Sequence, residues 1–175
     1  MNTLMEKARD IQLVIFDVDG VLTDGSLFMG DDGQEYKAFN SRDGHGIRML
    51  QESGVQTAII TGRQSQVVLH RAKDLGIEHV LQGYRDKRPA FQELLKRTGF
   101  EPANIAYVGD DVVDLPVMSQ VGLPIAVADA EEFVKHQAQW ITPRNGGRGA
   151  ARDVCEFLMQ ARGVLDEKLN SYLQA

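Results

Sequence analysis

The sequence predicts an α/β protein: a Rossmann-like, doubly wound parallel sheet with helices on both faces. Three observations predict it. Short apolar runs alternate with longer amphipathic segments along the chain, and that alternation gives a parallel sheet whose crossovers cover both faces. The short runs are apolar at nearly every position, as strands buried on both sides are. The length, 175 residues, fits one ordinary domain. With no repeat and no Pro/Gly/Ser linker, the expectation is one domain over residues 1–175.

Residues 11–16 (IQLVIF) read as a buried strand ending at Asp17. Residues 27–29 and 35–39 flank Gly30-Asp31-Asp32-Gly33, so a β-hairpin is expected over about 25–39. A helix is expected over 43–53, closed by Gly54. Residues 55–60 are the second buried strand, 64–75 a helix capped by Gly76, and 77–81 the third strand. Residues 89–98 read as a helix capped by Gly99, and 105–108 as the fourth strand, ending in Gly109-Asp110-Asp111. A helix over 115–121, a strand over 125–127, a short helix over 131–137 and a last strand over 140–142 follow. Residues 150–161 are helical, and a tail over about 163–175 continues as a helix from 165 to 173.

Apolar residues make up 43% of the chain and charged ones 25%. That excludes a disordered chain, a collagen-like fibre and a coiled coil. The net charge of −6 argues against nucleic acid and anionic membrane as partners, because those are bound by excess Lys and Arg. A lone Cys155 cannot form an internal disulfide. No apolar run approaches the roughly 18 residues that span a bilayer, and MNTLMEKARD lacks a signal-peptide core. A soluble, cytoplasmic protein is expected.

In parallel sheets ligands sit at the carboxyl ends of the strands. Asp17 and Asp19 follow the first strand, and Asp110, Asp111 and Asp114 follow the fourth. Clustered carboxylates repel by about 4 kcal/mol per pair at 4 Å and an effective dielectric of 20. A divalent cation relieves this, and a small set of hard oxygen ligands suits Mg²⁺. Thr61-Gly62-Arg63, after the second strand, offers a hydroxyl, a backbone N–H and a helix start, the parts of a phosphate cradle. Lys87 follows the third strand, opposite the acids. His45, His70, His79 and His136 lack metal-ligand spacing and read as structural or surface residues.

Together these four segments resemble the haloacid dehalogenase superfamily of phosphotransferases. The resemblance rests on DxD (Asp17, Asp19), Thr61, Lys87 and GDDxxD (Asp110, Asp111, Asp114), in that order. It extends over most of the chain through FDVDGVLTDG, FMGDDGQEYKAFN, SRDGHGIRML, AIITGR, YVGDDVVDLPVM and GGRGAARDVCEFL. It is strongest to the superfamily's sugar-acid phosphatases. The resemblance implies that Asp17 is the nucleophile, Asp19 the general acid/base, and that Mg²⁺ is held by the Asp17 carboxylate, the Asp19 main-chain carbonyl and Asp110. Asp111 and Asp114 then orient water ligands or Lys87, while Thr61, Gly62 and Lys87 stabilise the transferring phosphoryl group.

The implied substrate is the phosphate of an eight-carbon sugar acid, within lipopolysaccharide sugar biosynthesis. Arg48, Arg63 and Arg71 suit its carboxylate, and by resemblance Asn40, Ser41, Arg42, Asp43 and Gly44 also line the substrate site. A nine-carbon sialic-type sugar phosphate stays open as an alternative. So does a non-enzymatic phosphorylation-receiver module, which uses acids, a Thr and a Lys at strand ends but has no need of Asp19. No stretch is long enough for a cap domain. Leu27, Phe28, Met29, Tyr36 and Phe39 offer an apolar hairpin face, and the resemblance implies a homotetramer whose neighbours roof each active site. The Gly146-Gly147-Arg148-Gly149 stretch and the tail are expected to reach toward a neighbour's site.

Overall fold

The computed structural model describes residues 3–174. Residues 1, 2 and 175, the ends of the expected domain and tail, lie outside them. The chain opens with a helix the sequence reading does not include, α1 (Leu4–Arg9), started by a capping box: Thr3 accepts from the Glu6 amide and the Glu6 carboxylate accepts from the Thr3 amide. The buried strand β1 (Leu13–Phe16) follows.

Next comes the hairpin, β2 (Phe28–Met29) and β3 (Glu35–Tyr36), a separate two-stranded antiparallel ribbon. Its paired arms are shorter than expected; the turn is closed by the Gly33 amide donating to the Gly30 carbonyl. Then α2 (Ser41–Glu52), β4 (Gln56–Ile60), α3 (Gln66–Leu75), β5 (His79–Leu81) and α4 (Arg88–Thr98) alternate. They are followed by β6 (Ile105–Gly109), α5 (Leu115–Met118), β7 (Leu123–Ala126), α6 (Glu132–Gln137), β8 (Trp140–Ile141), α7 (Ala150–Ala161) and α8 (Leu165–Ser171). Gly76 and Gly99 close α3 and α4 in the left-handed conformation, as expected.

All six strands of the main sheet are parallel, in the order β5-β4-β1-β6-β7-β8. The chain steps outward from β1 through β4 to β5, then returns to the other side of β1 at β6. Right-handed crossovers therefore place α2 and α3 on one face, with α7 packed on α2 and α1 on α7, and α4, α5 and α6 on the other. Two covered faces explain why β1, β6 and β7 are buried at every position. Phe16 is level with Ile59 and with Val108. The loops after β1, β4 and β6 thus leave the sheet at one edge, where the strand order reverses.

Two boundaries matter for the site. Helix α2 begins at Ser41, because the Asn40 side chain accepts from the Arg42 and Asp43 amides. Helix α3 begins only at Gln66, so Thr61-Gly62-Arg63 lies in the loop before it and not at the helix start. Between β1 and β4 the chain forms only the hairpin and α2. Among the described residues no helix is long and apolar enough to cross a membrane.

Candidate active site

A cleft of about 620 Å³ opens at the edge where β1 and β6 end. Asp17 and Asp19 enter it from the loop after β1, and Thr61, Gly62 and Arg63 from the loop after β4. Lys87 caps the start of α4, and Asp110 and Asp111 follow β6. Eight of the residues the sequence points to therefore meet in one place. Arg85, to which the sequence reading gives no role, joins them from the loop before α4, with Leu27 and Val113 as apolar walls.

Asp114 lies beneath the cleft, fully buried. Its Oδ1 accepts from Lys87 Nζ at 2.7 Å and from the Tyr107 hydroxyl at 2.7 Å. Its Oδ2 accepts from the Asp110 and Asp111 amides at 2.9 and 3.2 Å. Both oxygens are thus engaged, and Asp114 is an anchor for Lys87 and for the loop after β6. Asp111 caps that loop's 3₁₀ turn by accepting from the Val112 amide. Lys87, itself buried, also reaches Asp17 Oδ1 at 3.0 Å. Burial works against its ammonium, yet Asp17 and Asp114 hold its pKa above the ordinary lysine value.

Oxygens of Asp17, Asp110 and Asp114 lie within 4.8 Å of one another. Against Lys87 alone, three carboxylates leave two negative charges uncompensated. Burial first, then the Asp114 charge, push Asp17 up to about 7. Burial and the Asp17 charge push Asp110 up to about 8. Among the described residues Asp110 Oδ1 is buried without a hydrogen-bond partner, which is costly for a carboxylate. A hard divalent cation fits this donor set and its charge deficit. The loop after β1 passes close by: Gly20 sits at φ +88°, and a Cβ there would meet Asp110 Oδ2 at 2.0 Å, so only glycine leaves the carboxylate its place. The Gly146 stretch backs the same loop within its own chain, with the Gly147 amide donating to the Val21 carbonyl at 2.8 Å.

Asp19 is paired with Lys37, which the sequence reading leaves aside: Lys37 Nζ donates to Asp19 Oδ1 at 2.6 Å and to Glu35 Oε1 at 3.2 Å. Arg63 Nη2 donates to Glu35 at 3.1 Å. Burial works against the Glu35 charge, but Lys37 and Arg63 hold its carboxyl below the usual range. Tyr107 is the other polar partner outside the sequence reading. It sits in an apolar strand and shows only as one hydroxyl in the run.

Seven predicted substrate residues are not brought to this cleft of the same chain. Asn40 caps α2, Ser41 and Arg42 are exposed on its first turn, and Gly44 is buried where a Cβ would strike Arg71. Asp43 is buried, accepts from the Arg152 amide at 2.9 Å, and so ties α2 to α7; burial pushes its carboxyl up. Arg48 donates to the Asp74 carbonyl, and Arg71 pairs with the Asp74 carboxylate at 3.0 Å and donates to the Asn40 carbonyl. Ser41, Arg42 and Arg48 are exposed on a second, outward face, with Arg71 half-buried beside them.

The haloacid dehalogenase-like hydrolase family matches residues 80–152, the stretch that carries Lys87 and the acids after β6. The 3-deoxy-D-manno-octulosonate 8-phosphate phosphatase KdsC of Escherichia coli K12 is 51% identical over 164 residues, 94% of this chain and 87% of that protein. The chain belongs to the haloacid dehalogenase-like hydrolases. Among solved structures of that family, the 3-deoxy-D-manno-octulosonate 8-phosphate phosphatase of Yersinia pestis superposes with a TM-score of 0.91 at 48% identity, covering 93% of this chain and 88% of that one. The Moraxella catarrhalis phosphatase of the same name, in complex with magnesium ion, phosphate ion and a KDO molecule, gives 0.94 at 41% identity over 98% and 99% of the two chains. Membership in this hydrolase family removes the receiver-module alternative.

Proposed function

We propose that this chain is a Mg²⁺-dependent phosphatase that hydrolyses 3-deoxy-D-manno-octulosonate 8-phosphate to the free sugar acid and phosphate through an aspartyl-phosphate on Asp17. The observation that carries the reading is the group of Asp17, Asp110, Asp114 and Lys87 at the switch point of the sheet, short of positive charge by two. The half-identical relatives over most of the chain support the substrate.

Asp17, the Asp19 main-chain carbonyl and Asp110 would hold Mg²⁺. When bound, it offsets the repulsion between the Asp17 carboxylate and an incoming phosphate dianion and fixes the line of attack. The Asp17 carboxylate then forms a bond to phosphorus as the bond to the sugar oxygen breaks. That oxygen takes a proton from Asp19 and leaves as an alcohol. In the second step Asp19 takes a proton from water, the water oxygen bonds to phosphorus, and Asp17 is released. Thr61, the Gly62 amide and Lys87 stabilise the phosphoryl oxygens in both steps. Asp114 keeps Lys87 in place, and Asp111 orders the loop after β6.

Arg63 is the arginine of this cleft that the sequence singles out, and it faces the substrate carboxylate. Residues 40–44, Arg48 and Arg71 complete the substrate site of a neighbour in a homotetramer, the arrangement that a single capless domain calls for. As an enzyme of lipopolysaccharide sugar biosynthesis it works in the cytoplasm.

The test is phosphate release from a panel of sugar phosphates, with Mg²⁺ and with EDTA. The eight-carbon substrate should be turned over only with Mg²⁺, and Asp17→Asn should be inactive while melting as a folded protein. Faster release from a nine-carbon sialic-type phosphate, or release that persists in EDTA, would overturn the reading.

A further inference from the structure

Lys37 and Glu35 have no part in the two steps above, yet they hold the group that both steps depend on. We infer that Lys37 is the positioning residue of the acid/base, fixing Asp19 so that Oδ2 is the oxygen that gives and takes the proton. Lys37 has this role only if Asp19 is the acid/base of the phosphatase proposed above.

Lys37 follows β3 on the arm that runs from the hairpin to α2. Its side chain is 1% exposed, and it does not line the cleft. It therefore cannot touch a substrate and acts through its partners. The ammonium donates to Asp19 Oδ1 at 2.6 Å. Asp19 Oδ2 has no such bond among the described residues; Arg63 Nε stands 4.0 Å from it. An ammonium offers only donors, so the oxygen facing it is the poor place for a proton. The proton belongs on Oδ2.

Glu35 answers the problem this creates. An acid/base alternates between a charged and a neutral form. With Asp19 protonated, a lysine that had no other partner would be a buried, unpaired charge, which costs several kcal/mol. Glu35 Oε1, 3.2 Å from the same ammonium, keeps Lys37 paired in both states. Arg63, donating to Glu35 at 3.1 Å, holds that carboxylate toward the body of the protein. The hairpin thus delivers a net-neutral clamp, Glu35 with Lys37, to one oxygen of Asp19.

A purely structural Lys37, which only pins the hairpin, would affect all substrates alike. A positioning Lys37 affects those whose leaving group needs a proton. When the phosphorus–oxygen bond to the sugar breaks, the electron pair stays on an alkoxide, which must take the Asp19 proton. Nitrophenolate leaves as a stable anion and needs none. Hydrolysis of the aspartyl-phosphate uses Asp19 for either substrate, so the first turnover, not the steady state, separates the cases.

The experiment is rapid-quench analysis of the Mg²⁺-loaded enzyme with 3-deoxy-D-manno-octulosonate 8-phosphate and with p-nitrophenyl phosphate, for wild type, Lys37→Met and Lys37→Arg. Lys37→Met should slow the burst of sugar release about a hundredfold. The nitrophenolate burst and both KM values should stay within about twofold, and Lys37→Arg should restore most of the sugar burst. If Lys37→Met loses its fold by circular dichroism, Lys37→Gln carries the same comparison. Equal losses on both substrates, or no loss on either, overturn the role of Lys37. A wild-type enzyme that releases no sugar overturns the phosphatase reading instead.

Discussion

Asp110 shows how one side chain is held for a partner that the protein itself does not supply. Its amide donates to Asp114, and its carboxylate is hemmed by Gly20, with one buried oxygen unpartnered among the described residues. Metal-free, Asp17 and Asp110 are pushed up from the ordinary 3.8 to about 7 and about 8, by burial first and then by neighbouring carboxylates. A raised carboxylate keeps a proton in the fold after the unfolded chain has lost it. The stability this gives is full below about pH 4 and is lost as pH rises through about 7 to 8. The melting temperature of EDTA-treated protein should therefore fall between about pH 5 and pH 8.5. Saturating Mg²⁺ should raise it most at the alkaline end, because a cation binds the ionised form. Calorimetry across that range decides; a metal-free curve that is flat or rises would contradict the assignment of these carboxylates.

Helix α2 shows local roles that the sequence motifs do not announce. By resemblance Asn40 to Gly44 line the substrate site, and the oxygens of Asn, Ser and Asp also serve as helix caps. In the fold Asn40 caps α2 and Asp43 fastens it to α7. Asn40→Ala should cost about 1 kcal/mol and lower the melting temperature by roughly 2–4 °C in a chain of this size; an unchanged thermal melt would show that the cap is idle. The central strands were legible because β1, β4 and β6 are short and mostly apolar, and parallel strands send their carboxyl ends to one edge, so Asp17, Thr61, Lys87 and Asp110 could be placed together from sequence. Lys37 could not be, since its partner Asp19 is 18 residues away and meets it only when the hairpin folds back. Tyr107 was hidden for a similar reason, as a buried strand tyrosine reads as core until its hydroxyl finds Asp114. The capping box of α1 was present in the sequence at Thr3 and Glu6, but a helix of six residues carries too little periodicity to announce itself.

At the scale of the whole molecule, a hydrolytic cleft without a cap domain must exclude water by other means. Leu27, Phe28, Met29 and Tyr36 are each about half exposed or more, and among the described residues the hairpin pairs with no other strand. A short ribbon with bare apolar side chains is a surface that another copy can cover. Phe39, expected on the same face, is instead partly buried against the core, with the Arg71 guanidinium over its ring at 5.6 Å. It belongs to the body of the protein, so the interface test rests on Phe28 and Met29. The double substitution Phe28→Ser, Met29→Ser leaves Lys37 and Glu35 in place. It should give smaller particles by light scattering, with a circular dichroism spectrum like that of the wild type. Because the outward residues Arg48 and Arg71 would then have no neighbouring cleft to complete, KM for the sugar acid phosphate should rise about tenfold or more, while KM for p-nitrophenyl phosphate should hardly move. An unchanged particle mass would remove the hairpin from the interface. A smaller particle with an unchanged KM would leave the assembly in place but take residues 40–44, Arg48 and Arg71 out of the substrate site.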